Sequence, residues 1–269
     1  MDRRTFTVFT KPWKQEIPAL AAYVRELGFD GVELPVRPGY PVNPDNVTTE
    51  LLRAARTFAD AGLTIASIAG PTDEHTIAAC GEAGIPIIRI CLAIPPGRSY
   101  LDYIAEVQRD YAALIPALDD AHVTIGIQNH CGRFVANAMG IHQLLQPFEP
   151  RHIAAVWDPA HCALQGEIPE LAADILWTHL RMINLKNAYW LRTNGLEAEY
   201  AQYKHYWTSG RQGLCSWPSV IAILRQRRYD GPICLTAEYS DTASVDRLIR
   251  EDLAFARSLF LYPQHRRES

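Results

Sequence analysis

Residues 117–130 read ALDDAHVTIGIQNH: the end of an amphipathic helix, a short turn, then an apolar strand that closes on polar residues. The same phrase recurs along the chain as VRELGFDGVEL (24–34), ARTFADAGLTIASI (55–68) and CGEAGIPIIRI (80–90). It continues as FEPRHIAAVWDPAH (148–161), LWTHLRMINLKNA (176–188) and LRQRRYDGPICLTAE (224–238). With the opening TFTVFT (5–10) there are eight strand candidates alternating with helices. That alternation argues for βαβ units and a parallel sheet. Eight units averaging roughly 34 residues argue for a closed barrel rather than an open sheet. The expected fold class is therefore α/β, a single (β/α)8 TIM barrel over residues 1–262. The polar PQHRRES (263–269) reads as a C-terminal tail.

The helices carry the matching period. Tyr100, Tyr103, Ile104, Val107, Tyr111, Leu114, Ile115 and Leu118 hold a 3.6-residue repeat, as do Ile17, Leu20, Ala21, Val24 and Leu27. Leu27-Gly28, Ala61-Gly62 and Ala83-Gly84 read as helix ends closed by a left-handed glycine.

Composition removes several function classes. Of 269 residues, 26 are Lys or Arg and 30 are Asp or Glu, so the chain has no global attraction for nucleic acid or an anionic membrane. The opening MDRRTFTVFT lacks the apolar core of a signal peptide, and no apolar run approaches a membrane span. Six scattered cysteines without a CxxC pair read as reduced thiols. Cytoplasmic localisation is the expectation. Cys131 and Cys162 each follow a histidine, but neither sits in a recognisable nucleophile arrangement.

Strand parity points to a site. In VTIGIQ, Val123, Ile125 and Ile127 face the helices, leaving Thr124, Gly126 and Gln128 toward the barrel axis. The same alternation turns Asp158, Asn184, Glu238 and Glu33 inward, each at the end of its strand. In this fold a polar residue at a strand's carboxyl end serves chemistry more often than packing; mutual hydrogen bonding at the barrel mouth is the plainer alternative. Gln128, Asp158, Asn184 and Glu238 are spaced 30, 26 and 54 residues apart, which puts them on strands five to eight. Four side-chain oxygens aimed at one point suit a hard divalent cation such as Mn²⁺ or Mg²⁺.

The motifs IGIQNHCG (125–132), WDPAHCAL (157–164), INLKNAYW (183–190) and LTAEYS (235–240) resemble those of the xylose-isomerase-like barrels, which include sugar epimerases and related dehydratases. GFDGVELP (28–35) and the GRQG turn before Trp217 add to the likeness. The resemblance implies a Glu, Asp, His, Glu ring binding one divalent metal, with the two Glu residues exchanging protons with the substrate. Asp158 and Glu238 match that pattern; Gln128 stands for the first Glu and Asn184 for the His. The ring therefore offers one negative charge fewer, and Gln128 cannot accept a proton, so a two-base epimerisation has lost a partner. His130 and His161 fall at positions the family uses against substrate. The DNA-repair endonuclease branch needs more strand-end histidines than this chain has.

The reading that results is a sugar or keto-polyol isomerase or epimerase-like enzyme acting on a small sugar-like molecule. Glu238 is its base, and His161, Lys186 and His130 are its acids or electrophiles. Glu33, Trp13, Arg89, Trp190 and Arg211 are candidate substrate contacts, the arginines for a carboxylate or phosphate. The aromatic insertion NAYWLRTNGLEAEYAQYKHYWTSGRQG (187–213) reads as a lid or substrate wall, or else as a small satellite core or a dimer contact within a homo-oligomer. Two alternatives stay open: a keto-polyol dehydratase, for which one base and one acid suffice, and a sugar-binding barrel or subunit without catalysis.

Overall fold

The computed structural model describes residues 4–261, so the polar tail at 263–269 lies outside the described residues. Strands β1 (Phe6–Phe9), β2 (Gly31–Pro35), β3 (Thr64–Ala69), β4 (Ile87–Cys91), β5 (Thr124–Gln128), β6 (Ile153–Trp157) and β7 (Leu180–Leu185) run parallel. A hairpin of β8 (Asn187–Arg192) and β9 (Tyr203–Thr208) follows, and β10 (Ile233–Leu235) then pairs with both β7 and β1 to close the barrel. The eight-stranded closed barrel is the expected fold.

Helices α1 (Ile17–Leu27), α2 (Val47–Asp60), α3 (Glu74–Glu82), α4 (Tyr100–Ala121), α5 (Ala138–Leu145), α6 (Pro159–Leu164), α7 (Pro169–Leu176), α8 (Trp217–Gln226) and α9 (Val245–Leu261) surround it. Helix α2 shows why they pack. Val47, Leu51, Ala54 and Phe58 fall on one stripe, and all four are buried. Helix α1 ends at Gly28 with φ 90°, a left-handed turn that a side chain would strain. None of the described helices is long and apolar enough to cross a membrane.

Two cores result from the strand alternation. Ile125, Ile127, Ile153 and Ile183 join the large shell between sheet and helices. Phe9, Ala69, Ile87, Val156, Met182 and Cys234 form a second cluster inside the barrel. This inner layer is the floor on which the polar strand ends stand.

The insertion after β7, read from sequence as a loop, is an antiparallel ribbon in which Trp190 pairs with His205 and Ala188 with Trp207. Asn187 roots it. Its amide donates to the carbonyls of Gly210 and Cys215 (3.0 and 2.8 Å), and its Oδ1 accepts from the Cys215 N–H (2.9 Å). A Cβ on Gly213 would lie 2.0 Å from Asn187 Oδ1, so only glycine fits that turn.

Candidate active site

Gln128 ends β5, Asp158 follows β6, Asn184 lies on β7 with Lys186 just past it, and Glu238 stands three residues beyond β10. Asp158 does two jobs. Its Oδ1 accepts from the N–H groups of Ala160 and His161 (3.1 and 3.2 Å) and caps α6. Its Oδ2 faces the barrel axis. Glu238 is placed by an unusual turn: Ala237, buried, has φ 48°, a left-handed conformation that L-residues other than Asn and Asp rarely adopt.

The four ring residues do converge, and their hydrogen bonds run in one direction. Asn184 Nδ2 donates to Gln128 Oε1 (2.9 Å), and Gln128 Nε2 donates to Asp158 Oδ2 (2.9 Å). At the end of this chain sits the Lys186 ammonium, 3.5 Å from Asp158 Oδ2 and 3.0 Å from Glu238 Oε2. Lys11 pairs with the other Glu238 oxygen. The Trp207 ring of the hairpin covers the Lys186 ammonium at 4.4 Å. Asn184 Oδ1 and His161 Nε2 are among the buried polar atoms without a hydrogen-bond partner in the described residues.

These contacts set the charges. Burial opposes charge on Lys186, but Glu238 and Asp158 outweigh it and hold the ammonium well above its usual range. Burial likewise pushes Glu238 up, yet Lys186 and Lys11 pull it well below the usual carboxylate range. Asp158, wholly buried, is pushed up to about 6 by desolvation against the pull of Lys186. Lys186 therefore stays protonated, and Glu238 stays ionised.

The histidines take opposite tautomers. His161 Nδ1 accepts the Cys131 N–H at 3.0 Å, so its proton is on Nε2, 3.6 Å from Asp158 Oδ2. His130 Nδ1 lies 2.8 Å from the Cys131 carbonyl and must donate to it, which leaves Nε2 with a free lone pair. The rings lie 4.0 Å apart. Burial, reinforced by Lys186, lowers His130 to about 4 and His161 well below its usual value, so both are neutral near pH 7. Burial also raises the thiols of Cys131 and Cys162, which argues against either as a nucleophile.

On the opposite side of the mouth, Arg89 Nε and Nη2 donate to the two oxygens of Glu33 (2.9 and 2.6 Å), and Ser67 Oγ donates to Glu33 as well (3.1 Å). The Arg89 guanidinium lies over Phe9 at 4.6 Å. A cavity of about 520 Å³ opens between the two sides, lined among others by Arg37, Arg89, His130, Asn184, Lys186 and Glu238.

The remaining sequence candidates lie elsewhere. Trp13 donates to Asp246 (3.0 Å) and lines a neighbouring cavity that shares Lys11 and Glu238. Trp190 donates to the Leu164 carbonyl (3.0 Å) and stays outside the main cavity. Arg211 stacks on Phe255 at 3.7 Å and lines a third cavity, away from the site. Conversely, Lys11, Arg37 and Trp207 belong to the site and were not picked out individually. Lys11, just past β1, stands much as Lys186 does past β7, and that strand-end position was the available signal.

A divalent cation at this ring needs free lone pairs, and few remain. Gln128 Oε1 is taken by Asn184, and Gln128 turns its N–H toward Asp158. Both Asp158 oxygens accept bonds, and both Glu238 oxygens hold ammoniums. Of the ring's side-chain oxygens, Asn184 Oδ1 alone has no partner among the described residues, and the two carboxylates already face the Lys186 ammonium. His130, Cys131 and His161 bring ligand atoms within 4.8 Å of one another. There His161 Nε2 carries the proton, and freeing it would set Nδ1–H against the Cys131 N–H. The residues present do not fit a divalent metal in either place.

A closed parallel barrel with a polar site at the carboxyl ends of its strands defines a TIM-barrel protein. The chain belongs to the xylose isomerase-like TIM barrel family, whose model matches residues 21–259. No curated protein matches it. Among solved structures it is similar to the 3-keto-D-glucoside 4-epimerase of E. coli (14% identity, TM-score 0.70, 95% of this chain and 100% of that one). It is also similar to a D-psicose 3-epimerase (13%, TM-score 0.71, covering 95% and 99%). A third is the probable 3-DHS dehydratase AsbF from Bacillus anthracis (13%, TM-score 0.72, covering 94% and 98%). At these identities the likeness is one of fold.

Proposed function

We propose that this barrel is an isomerase-like enzyme that moves a proton between adjacent carbons of a small keto-polyol. The observation that carries the reading is the grouping, around one cavity, of an ionised carboxylate (Glu238), a fixed ammonium (Lys186) and an imidazole lone pair (His130 Nε2). Glu238 takes the proton from the carbon bearing a hydroxyl beside the carbonyl. The electron pair released forms the carbon–carbon double bond of an enediolate, whose oxygen charge faces Lys186. His130 Nε2 accepts the hydroxyl proton and passes it to the neighbouring oxygen. Glu238 then returns its proton to the former carbonyl carbon.

One base on one face suffices for this shift. Epimerisation with a base on each face would need a second proton acceptor where Gln128 stands, and its amide has none to offer. Lys11, more exposed than Lys186, is the contact a substrate displaces to reach Glu238. Arg37 lies over Phe9 without a carboxylate partner among the described residues, so the lining favours substrates that carry an acidic group.

The loss of one base also suits β-elimination, with Glu238 as base and a neutral acid such as His161 Nε2–H, and this is the second reading. Both are tested by incubating neutral and acidic keto-polyols with the enzyme in D2O. Proton NMR should show deuterium entering beside the carbonyl, and a new ultraviolet enone band would identify elimination. Glu238→Gln should cut exchange by about 10²–10⁴-fold. Undiminished exchange in that variant sinks the mechanism.

A further inference from the structure

We infer that the Lys186 ammonium is the built-in cation of this site, doing electrostatically what a divalent metal would do and keeping such a metal out. The inference deepens the proposed proton transfer, but its central observation is geometric. Lys186 Nζ is placed between the only two carboxylates of the ring, 3.5 Å from Asp158 and 3.0 Å from Glu238.

Two features hold it there. The Trp207 ring, 4.4 Å away, covers the ammonium and limits water access. The amide chain from Asn184 through Gln128 ends in a donor aimed at Asp158, so that carboxylate accepts from an amide and from the ammonium's field at once. Glu at position 128 would turn the same contact into two carboxylates facing each other, which a metal between them would neutralise. Gln128 removes that repulsion, and Lys186 supplies the remaining positive charge. The substitutions that weaken a metal site are therefore those that suit an ammonium.

The unpartnered Asn184 Oδ1 and His161 Nε2 complete the argument. His161 Nε2, a donor, lies 3.6 Å from the inward oxygen of Asp158, and Asn184 Oδ1, an acceptor, belongs to a residue that lines the cavity. A substrate hydroxyl in the cavity, which Asn184 lines, can donate to Asn184 Oδ1. The ligand this pocket is built for is thus a neutral hydroxyl next to a developing oxyanion.

The test uses Mn²⁺ alone as probe, so it does not depend on knowing the substrate. Free Mn²⁺ gives a sharp paramagnetic resonance signal that is lost on binding. The wild-type protein, added in equal amount to about 1 mM Mn²⁺, should leave the signal unchanged. Gln128→Glu/Lys186→Met should bind one ion at least about 100-fold more tightly, quenching Trp207 fluorescence as it does so. One equivalent of Mn²⁺ sequestered by the wild type, and released by Asp158→Asn, overturns the inference. So does a folded double variant that binds no better than the wild type. Should the double variant fail to fold, the wild-type measurement still decides. Failure of deuterium exchange with intact Mn²⁺ exclusion would count against the proposed reaction and leave this inference standing.

Discussion

Glu33 and Arg89, on β2 and β4, meet through two parallel hydrogen bonds, with Ser67 filling a further acceptor site and Phe9 beneath the guanidinium. Across the mouth, Asp158, Lys186 and Glu238 are as charged but less complete. One carboxylate is half committed to a helix cap, the other hangs from a left-handed alanine, and two neighbouring polar atoms lack partners. The first cluster stands on regular strands and needs nothing more. The second leaves Asn184 Oδ1, on a residue that lines the cavity, without a partner among the described residues. A buried charge network that is fully satisfied rigidifies a fold, whereas one left open stores capacity for a ligand. By that measure the β2–β4 side braces the barrel, and the β5–β10 side does the chemistry.

The sharpest way to break this contrast is to remove Arg89. Arg89→Met leaves a buried Glu33 carboxylate without its counter-charge and should cost roughly 3–5 kcal/mol in urea unfolding. Glu33→Gln/Arg89→Met, with neither charge, should recover a large part of that loss. If the single variant unfolds at the wild-type midpoint but loses deuterium exchange, the assignment of bracing and chemistry to the two sides is reversed.

Much of this architecture was legible in the chain. The helix–turn–strand phrase fixes eight units because each strand needs an apolar outer face and each helix an apolar stripe, both visible as periodicity. Parity turned Gln128, Asp158 and Asn184 inward because side chains alternate along any strand. Partner choice was not legible. Nothing in the spacing says that Glu33 takes Arg89, or that Lys186 bridges Asp158 and Glu238. Those choices depend on which strands become neighbours and on tenths of an ångström of reach. Trp207 was hidden for another reason. Its position over Lys186 follows from the register of the β8–β9 ribbon, which an aromatic-rich insertion does not reveal until the pairing is known.

A smaller effect tests the histidine pair through pH. Folding lowers His130 to about 4, chiefly by burial and the nearby Lys186 charge, and lowers His161 in the same direction. The unfolded chain, with histidines near pKa 6.5, takes up these protons first as acid is added. Their contribution to stability is therefore complete above about pH 6.5 and is lost as pH falls toward 4. Asp158, raised to about 6 by burial, works in the opposite sense, favouring the fold at low pH and losing that contribution as pH rises through 6. His130→Gln should flatten the acid loss between pH 6.5 and 4, and Asp158→Asn should steepen it. An unchanged profile for His130→Gln would mean that the open side does not hold its imidazole neutral.

The smallest expected change concerns Ala237, the left-handed residue that delivers Glu238 to the cavity. An alanine held at φ 48° carries a steric cost of roughly 1–2 kcal/mol that glycine would not. Glycine also gains freedom in the unfolded chain, so part of that relief is cancelled. Ala237→Gly should stabilise the protein by about 0.5–1 kcal/mol, raising Tm by roughly 1–2 °C. The Cβ that strains the turn also restricts it, so Glu238 in the glycine variant should sample more positions. Deuterium exchange should fall a few-fold while KM changes little. A stability gain with slower exchange places the strain in the service of the carboxylate, as expected for the working side of the mouth. Lower stability with unchanged exchange would mean that the turn is no more than a way to end β10, and that the open side is positioned by Lys186 and Lys11 alone.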